Sequence, residues 1–494
     1  MSGPMRLTTH RRSSSPVSAY SDHFELMQPR PPSFTARIRN FTRSLRHSRW
    51  RARNILVALG AFLCVVYYLS VYTDSYEVPA PIPPNELLPG RGDFEDYKER
   101  LEKMPQHNPD LPPPAGRNGR YVRFRNEVYG LGWNNILQEI LLNTHVAHEA
   151  GRAYVHTNFH AIAHPAIGVG SEAPRIPFNA FMDAPTAGGA WATGDNAPRA
   201  VSEAWYNTIC PPSARIVLDT EKVAGHIKEL DAKTLIDFWA QKLRDMDDRC
   251  VEIVGREQVF NYYLTGSTRV LTAFEDFSNS ATLQMFKWSD LVVGAVKRNF
   301  ELISPIKQRN SRPLIFYPEG KIDGLLAMHV RRGDYEYHCT HFANWSSTYT
   351  SWALLPQLPD KFTVPEGCGG GQATPEAVVA YHRVCWPTNA HIVERARLMR
   401  KLHPNLDRIY LLTNGKPEYL ARLKADLRAD GWKKLSTSQD MRLNWQEMWV
   451  SQSIDMSIAQ RAEVFVGNGF STLSSNVAIL RLSRGFSFDS IRFW

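Results

Sequence analysis

The folded part of this sequence has almost no net charge, few cysteines and no metal-binding cysteine pattern. The formal net charge of +9 arises within residues 1–53, which hold eleven Arg, no Lys and two acidic residues, Asp22 and Glu25. Residues 54–494 are therefore electrically balanced, which argues against nucleic-acid binding by the folded part. The six cysteines show neither a CxxC pair nor a Cys/His spacing, so no zinc site is predicted.

The first 119 residues divide into three segments by composition. Residues 1–53 are rich in Ser, Pro and Arg without apolar periodicity, which predicts a disordered tail. Residues 54–73 carry no charge over a length that spans a bilayer as a helix, and the Pro-rich residues 74–119 are typical of a stalk. Arginines precede the apolar segment and acidic residues follow it. The positive-inside rule therefore predicts a single-pass type II membrane protein with a cytosolic tail, its remainder in the lumen of the Golgi or endoplasmic reticulum. A cleaved signal peptide and a buried core helix are the alternatives.

Five cysteines follow the apolar segment, and an oxidising lumen favours disulfides between them. Because the number is odd, one cysteine is left unpaired. We expect Cys210 to pair with Cys250, and two of Cys339, Cys368 and Cys385 to form a second bridge.

Residues 120–310 form the first predicted domain, which begins with a strand, a glycine turn, a helix and a second strand. The turn is Gly130–Asn135, and the helix that follows it runs to about Ala150. Such a βαβ start places a helix N-terminus, which favours negative charge, beside glycines that let a ligand approach. The predicted strands are Tyr121–Phe124 and Ala153–Asn158, and further helices are predicted at Asp231–Arg244 and Leu291–Ser304.

One carboxylate pair in this domain has the spacing of a metal-dependent sugar-transferase site. Asp245 and Asp247 flank Met246, and divalent ions bind clustered carboxylate oxygens. The triplet ends a charged helix rather than an apolar strand, so we interpret it as a solvated helix end.

The apolar run Leu325–Val330 predicts a buried strand that ends in Arg331 and Arg332. Ligands of open α/β sheets bind at the carboxyl ends of strands, and the planar guanidinium matches phosphate oxygens. The pair is therefore a candidate diphosphate site, with a surface salt bridge as the alternative.

Residues 311–494 form the second predicted domain, in which strands alternate with helices as in a parallel sheet covered on both faces. Tyr335–Pro387 interrupts this rhythm and is long enough for a lid or binding loop. Within it, Asn344 fits the N-glycosylation pattern. The predicted strands are Arg408–Thr413 and Ala462–Gly467, and the predicted helices are His391–Leu402, Pro417–Ala429 and Trp445–Arg461.

A second anion-binding turn follows the last of these strands. Residues Gly467–Asn476 combine glycines and hydroxyls with the start of a final helix, and helix N-termini bind anions. An ordinary Ser/Thr helix cap is the alternative.

At these residues the chain resembles the fucosyltransferase superfamily of protein O-fucosyltransferases and α-1,6-fucosyltransferases. His329–Asp334 is similar to the family's His-x-Arg-Arg motif, and Asp455 with Thr472–Val477 is similar to its C-terminal motif. Gly130–Asn135 is similar to its N-terminal glycine turn. The resemblance implies an α/β fold of the GT-B type, with two Rossmann-like domains facing a cleft, that uses GDP-fucose without an obligatory metal or other cofactor.

The resemblance also implies roles for individual residues. Arg331 would hold the β-phosphate and neutralise the leaving group, Arg332 would assist or support it, and Asn134 would lie near the reacting sugar. His329 and Asp455 would contact the guanine. The diphosphate would be bound near the final helix by Thr472, Ser474 and Ser475.

The chain departs from the family at three positions, where Tyr335, Asn414 and Leu131 replace a lysine, an acidic residue and a glutamate. No general base carries over, and the substitutes are Glu127, Glu139 and Glu336. Two alternatives to a fucosyltransferase with a protein or glycan acceptor therefore stay open. One is a transferase that uses another nucleotide sugar, and the other is an inactive glycan-binding or scaffold protein.

Overall fold

The computed structural model describes residues 93–127, 131–161, 173–224, 229–304 and 319–494. The predicted tail, the predicted membrane span and Gly130 lie outside these ranges. No helix within them is both long enough and apolar enough to cross a lipid bilayer.

Helices and strands alternate along most of the described chain. The helices are α1 (Glu95–Glu102), α2 (Trp133–Glu149), α3 (Phe178–Phe181), α4 (Glu203–Ile209), α5 (Thr220–Ala224), α6 (Ala232–Asp245), α7 (Tyr262–Thr265), α8 (Phe274–Ser278), α9 (Ala281–Gln284), α10 (Asp290–Arg298), α11 (Phe300–Ile303), α12 (Tyr335–Asn344), α13 (Pro375–Cys385), α14 (Asn389–Leu402), α15 (Pro417–Ala429), α16 (Trp445–Trp449), α17 (Ser451–Arg461) and α18 (Thr472–Leu482). The strands are β1 (Tyr121–Phe124), β2 (Ala153–His156), β3 (Phe159–His160), β4 (Arg175–Ile176), β5 (Val201–Ser202), β6 (Arg215–Asp219), β7 (Cys250–Val254), β8 (Ile322–Val330), β9 (Cys368–Gly369), β10 (Gln372–Ala373), β11 (Arg408–Thr413), β12 (Lys434–Thr437), β13 (Ala462–Gly467) and β14 (Ile491–Phe493).

Two five-stranded sheets dominate the fold, and every strand pair within them is parallel. The first sheet has the order β5-β2-β1-β7-β6 and the second the order β12-β11-β8-β13-β14. Both belong to one compact unit. The predicted α/β class with parallel sheets is confirmed. Because β8 lies between β11 and β13, the turns that follow these three strands leave the second sheet at the same edge.

Alternate residues of β8 pack into different cores. Leu325 and Ala327 belong to the large core that contains residues of α17 and α18. Leu326, Met328 and Val330 belong to a second core with α14 and α15. This alternation follows from the two-residue period of a strand, and it shows that the second sheet is covered by helices on both faces.

The first sheet carries α2 and α6 on one face. Val122 and Phe124 of β1 belong to the large core together with residues of these helices. A smaller core on the other face contains Tyr121, Val155 and Tyr206 of α4, and the Cys210–Cys250 disulfide lies beside it. The first sheet thus also has two packed faces.

Residues 93–119, predicted as the end of the stalk, pack against the folded part instead. Phe94 is buried and its ring centroid lies 5.6 Å from that of Trp445. Tyr97 donates a hydrogen bond of 3.1 Å to Asp290, and Gln446 donates one of 2.7 Å to the Asp93 carbonyl. The folded part therefore begins at or before Asp93, because α1 has an apolar face that the sequence composition concealed.

Most predicted elements are confirmed, but two predicted helices are each split in two. The predicted helix Leu291–Ser304 breaks at Asn299, whose side-chain amide donates to the carbonyls of Ala295 (2.9 Å) and Arg442 (3.0 Å). The predicted helix Trp445–Arg461 breaks at Val450, which has φ −103° and ψ 14°. Both predictions of one continuous helix are wrong. Side-chain hydrogen bonds of Asn299 accompany the first break, and non-helical backbone angles at Val450 mark the second.

Candidate functional site

Arg331 is the first residue after β8, and its guanidinium makes an ion pair with the exposed Asp334, as the salt-bridge alternative expects. Its side chain is 36% exposed, and Nη2 lies 3.6 Å from Asp334 Oδ1. Its guanidinium carbon lies 5.4 Å from the centroid of the Tyr335 ring. No residue in the described ranges makes a hydrogen bond to this guanidinium, so its rigid donor fork remains available.

Arg332, its neighbour, is buried and already has partners. Its guanidinium donates to the carbonyls of Arg331 (2.8 Å) and Pro387 (2.5 Å) and to the Tyr419 hydroxyl (2.5 Å). The Trp386 and Tyr419 rings lie 4.7 and 4.6 Å from it, which is cation–π contact. Of the two predicted roles, assisting or supporting Arg331, these contacts favour the supporting one, because they fix the segment that carries Arg331.

Strand alternation explains why the two arginines differ. His329 lies on the face of β8 that contacts α18, and Arg331 follows it two residues later, whereas Arg332 contacts the side with α15. Successive side chains of an extended chain point to opposite faces. An adjacent arginine pair at a strand end therefore supplies one ligand-binding group and one anchor.

Asn414, which follows β11, holds the turn after β8 through the backbone of Arg332. Its side-chain oxygen accepts from the Arg332 N–H (2.7 Å), and its side-chain nitrogen donates to the Arg332 carbonyl (2.8 Å). An aspartate at this position would lack the second donor. The departure at Asn414 thus has a structural reason.

His329 and Ser474 join β8 to the turn after β13. The imidazole Nδ1 lies 2.9 Å from Ser474 Oγ, and the same oxygen accepts the Asn468 N–H at 2.9 Å. Burial, aided by the charge of Arg331, lowers the pKa of His329 to about 3, so the ring is neutral at physiological pH. The two predicted anion-binding segments are therefore adjacent, as the sequence predicted.

The hydroxyls of Ser474 and Ser475 point into the protein. Both residues are fully buried, and Ser475 Oγ accepts the Trp352 N–H at 3.0 Å. Their hydroxyls already bond within the fold, so their predicted contact with the diphosphate stays a prediction that would use main-chain N–H groups rather than the hydroxyls. The position of these residues at the start of a helix was predicted, but the direction of their side chains was not, since they lie in the buried part of the first turns of α18.

The start of α18 offers backbone donors instead. No side chain caps this helix at Ser471, so the N–H groups of its first turn lack side-chain acceptors. Ser471 and Thr472 are only partly buried. Thr472 therefore stays a predicted ligand of the diphosphate, and Ser471 is a further candidate. A helix N-terminus with exposed N–H groups attracts a phosphate.

Asp455 of α17 lies on the same face of the second sheet as His329. Its two carboxylate oxygens accept from the hydroxyls of Tyr410 (2.5 Å) and Ser438 (2.8 Å). Burial raises the pKa of Asp455 to about 7, although both hydrogen bonds oppose the shift. Tyr410 and Ser438 were not predicted as site residues, because no motif in the sequence around them indicates a contact with a distant helix.

Asn134 lies where the first turn of α2 meets the second half of the chain. Its amide donates to Gln452 Oε1 (2.9 Å), and its carbonyl accepts from Asn476 Nδ2 (2.8 Å). Asn134 is 5% exposed. The prediction that Asn134 lies near the reacting sugar stays a prediction, and its side-chain amide is engaged in joining α2 to α17. Gln452, one turn before Asp455 on α17, is exposed and was not predicted.

The three candidate bases have different environments. Glu127 accepts from Tyr154 (2.5 Å) and Asn143 (3.0 Å), and burial raises its pKa to about 7. Glu139 is buried within α2, whereas Glu336 is exposed on α12. Glu127 is half-buried and its pKa is raised toward neutrality, which suits a general base.

A disulfide joins the two ends of the predicted insertion Tyr335–Pro387. The insertion contains α12 and α13, joined by the Cys339–Cys385 disulfide, and Cys368 is the free cysteine. The predicted Cys210–Cys250 pair is confirmed, with an S–S distance of 1.99 Å. Asn344 is the last residue of α12 and is partly buried, and its glycosylation stays a prediction.

The Asp-Met-Asp triplet ends a helix, as expected. α6 ends at Asp245, and Asp245 and Asp247 are both exposed. Across the described ranges, no group of three or more His, Cys, Asp or Glu side chains is arranged to hold a metal ion.

No family model matches this chain, and neither does any curated protein. Among solved structures it is similar to POFUT1 in complex with GDP-fucose, at 15% identity over 76% of this chain and 95% of that chain, with a TM-score of 0.45. It is also similar to POFUT1 in complex with GDP, at 16% identity over 74% and 95% of the two chains, with a TM-score of 0.42. For NodZ alpha-1,6-fucosyltransferase soaked with GDP-fucose, the identity is 12% over 73% and 92%, with a TM-score of 0.34.

The chain thus resembles fucosyltransferases in structure as well as in its motifs. At these identities and TM-scores the likeness adds no weight to the site, whose case rests on the contacts described above.

Proposed function

We propose that this chain is an inverting, metal-independent fucosyltransferase that transfers fucose from GDP-fucose to a protein or glycan acceptor. One observation carries the proposal: the partly exposed guanidinium of Arg331, whose ion pair with Asp334 is long at 3.6 Å, and the start of α18, which has no side-chain cap, follow two neighbouring parallel strands. Together they supply side-chain and backbone donors for one diphosphate.

These donors act on the leaving group. When the bond between the sugar and the diphosphate breaks, negative charge grows on the departing oxygens. A fixed guanidinium and fixed N–H groups stabilise that charge more strongly in the transition state than in the bound donor. Arg332 and Asn414 keep Arg331 in place, so little reorganisation accompanies the reaction.

Asp455 supports recognition of the nucleotide base. Asp455 is a half-buried residue on the face of the second sheet that also holds His329, and a carboxylate accepts hydrogen bonds from the N–H groups of guanine. The hydroxyls of Tyr410 and Ser438 hold it in one orientation. We assign Asp455 to the base, and Arg331 with the start of α18 to the diphosphate.

Glu127 is the proposed general base for the acceptor hydroxyl. It follows the central strand β1 of the first sheet, seven residues before Asn134. A carboxylate with a pKa of about 7 accepts a proton near neutral pH and still retains basic strength.

The architecture we propose is GT-B, with the two parallel sheets in Rossmann-like domains and the donor between them. We further propose that the chain is a type II membrane protein of the Golgi or endoplasmic reticulum. The uncharged residues 54–73 after an arginine-rich tail support this membrane topology and location. Two disulfides in the folded part agree with an oxidising lumen.

A panel of nucleotide sugars tests the donor by release of free nucleotide. GDP-fucose should be turned over, and GDP should raise the melting temperature because it binds the native state. If another nucleotide sugar is turned over and GDP-fucose is not, that nucleotide sugar is the donor. Absence of both turnover and GDP stabilisation would favour a glycan-binding or scaffold protein.

A further inference from the structure

A row of aromatic rings connects Arg331 to the turn that precedes α18. The guanidinium carbon of Arg331 lies over the Tyr335 ring, 5.4 Å from its centroid. The Tyr335 ring meets Phe342 edge-on, with the centroids 6.1 Å apart, and Phe342 stacks on Phe470 at 5.2 Å. We call Tyr335, Phe342 and Phe470 the aromatic row. It joins the two segments that supply donors to the candidate diphosphate site.

Helix α12 carries two rings of the aromatic row on one face. Tyr335, Cys339 and Phe342 are spaced four and three residues apart, which places them on the same side of a helix. Cys339 is fully buried and is joined to Cys385 of α13. The disulfide therefore anchors the face of α12 from which Tyr335 extends toward Arg331.

The Tyr335 ring has little freedom to move. The residue is 8% exposed and belongs to the large core, and the His338 ring lies 5.8 Å from it. Burial raises the pKa of the Tyr335 hydroxyl, so the side chain is neutral at physiological pH. A neutral, immobile ring offers its π face to a cation and can fix the position of the guanidinium that lies over it.

The Tyr335 hydroxyl takes no part in this arrangement. Its oxygen is buried and has no hydrogen-bond partner among the described residues. A buried hydroxyl without a partner lowers stability, so the environment of position 335 favours the ring rather than the hydroxyl. We therefore expect phenylalanine to serve equally well at this position.

Phe470 connects the other end of the aromatic row to α18. It lies in the turn between β13 and α18 and is 6% exposed. Its N–H donates to Asn468 Oδ1 at 3.1 Å, and the Asn468 N–H donates to Ser474 Oγ at 2.9 Å. The position of Phe470 is thus tied to the first turn of α18.

We propose that Tyr335 is a positioning residue which, through the aromatic row, holds the Arg331 guanidinium at a fixed place relative to the start of α18. The inference rests on the proposed function, which assigns both groups to one diphosphate. Asp334 also pairs with Arg331, but its side chain is 63% exposed and the distance is 3.6 Å. An exposed pair of this kind contributes little, so the buried ring is the stronger restraint.

Calorimetric titration with GDP and with guanosine tests the proposal. Tyr335→Leu should weaken GDP binding about tenfold, as expected for the loss of one cation–π contact. Its affinity for guanosine should stay within about twofold of the wild type, because guanosine has no phosphate for Arg331 to bind. Tyr335→Phe keeps the ring and should bind both ligands as the wild type does. In an Arg331→Ala background, Tyr335→Leu should weaken GDP binding no further, since a positioning residue acts only through the group that it positions.

Phe342→Leu provides a second variant with less risk to folding, because Phe342 is only partly buried. It interrupts the aromatic row and should weaken GDP binding several-fold, while its affinity for guanosine should not change. The matched control Phe238→Leu removes an exposed aromatic ring on α6 and should change neither affinity.

The results separate a failure of this inference from a failure of the proposed function. If Arg331→Ala weakens GDP binding and Tyr335→Leu does not, Tyr335 is not a positioning residue. The same conclusion follows if Tyr335→Leu weakens guanosine binding equally, or weakens GDP binding in the Arg331→Ala background too. If the wild type and Arg331→Ala bind GDP equally or not at all, the diphosphate site itself is contradicted, and the inference with it.

Discussion

His329 Nδ1 and Ser474 Oγ lie 2.9 Å apart, although 145 positions separate them in the chain. This contact joins the ends of β8 and β13, the strands that carry Arg331 and the turn before α18. Because the pKa of His329 is lowered to about 3 by burial, the contact involves a neutral ring and persists across the physiological range. It holds the two anion-binding segments side by side before any ligand arrives.

The two adjacent arginines should respond in opposite ways to substitution by alanine. Arg332→Ala should lower the free energy of unfolding by about 2–4 kcal/mol, because it leaves a buried carbonyl and hydroxyl without donors. Arg331→Ala should change it by less than about 0.5 kcal/mol, since the side chain is partly exposed and makes no hydrogen bond within the described residues. Urea denaturation of the three proteins measures both values.

Arg332→Lys serves as the control for the aromatic contacts. A lysine retains the charge but cannot stack flat between Trp386 and Tyr419. Its stability should lie between those of the wild type and Arg332→Ala. Equal stability of Arg332→Lys and wild type would mean that charge alone holds the turn after β8.

Binding of GDP should strengthen as pH rises toward and past 7. Burial raises the pKa of Asp455 to about 7, so below this pH the carboxyl carries a proton and accepts fewer hydrogen bonds from guanine. Affinity should rise about tenfold per pH unit below 7 and then level off, as expected for one ionising group. Calorimetric titrations at several pH values give the profile.

Asp455→Asn should abolish this pH dependence of GDP affinity, whereas Glu127→Gln should leave it intact. The folded pKa values of both carboxyls are raised, so each contributes stability that is present below its unfolded pKa and is lost as pH rises to about 7. Wild-type stability should therefore decline across that window, and each variant should decline less. A pH-independent affinity in the wild type would remove Asp455 from base recognition.

Asn134 and Asn476 should be energetically coupled across the joint between α2 and α18. The Asn476 amide donates to the Asn134 carbonyl at 2.8 Å and lies 3.3 Å from its side-chain oxygen. Asn134→Ala keeps the main-chain carbonyl, so a double-mutant cycle with alanine at both positions measures the 3.3 Å contact between the two side chains. It should give an interaction energy of about 0.5 kcal/mol in the free energy of unfolding. A cycle with Asn134 and the distant exposed Glu418 should give none.

The Cys339–Cys385 disulfide should stabilise the insertion. It closes a loop of 46 residues, and a loop of that size is worth about 2–4 kcal/mol. Cys339→Ala with Cys385→Ala should therefore lower the melting temperature under non-reducing conditions, while replacement of the free Cys368 by serine should not. Identical melting curves of the double variant and wild type would show that non-covalent contacts, such as those of Thr340 with His382 and of Tyr381 with Ser347, hold the insertion without the disulfide.

Local sequence patterns predicted the skeleton of the fold well. The strands Tyr121–Phe124, Arg408–Thr413 and Ala462–Gly467 and the helix Pro417–Ala429 have the predicted bounds. Their apolar spacing and flanking Pro or Gly residues decide local conformation before tertiary contacts act. The position of Arg331 at a strand end follows from the same patterns.

The directions of the site side chains could not be predicted in this way. Ser474 faces inward because His329 and Asn468 bond to its hydroxyl, and the partners of Asp455 lie on other elements. Such contacts join residues far apart in the chain and leave no periodic signal. The sequence predicts a short charged helical stretch near Phe94–Met104, which α1 confirms. Its packing against the folded part could not be predicted, since its partner Trp445 lies far along the chain.

Titration of GDP into the wild-type protein and Arg331→Ala by calorimetry tests the central claim most directly. The account predicts that wild type binds GDP and that Arg331→Ala loses about 100-fold in affinity or more, as expected for a charge-assisted pair with phosphate, with an unchanged melting temperature in the absence of GDP. Equal affinity in the two proteins would contradict the assignment of Arg331 and the start of α18 to one diphosphate site.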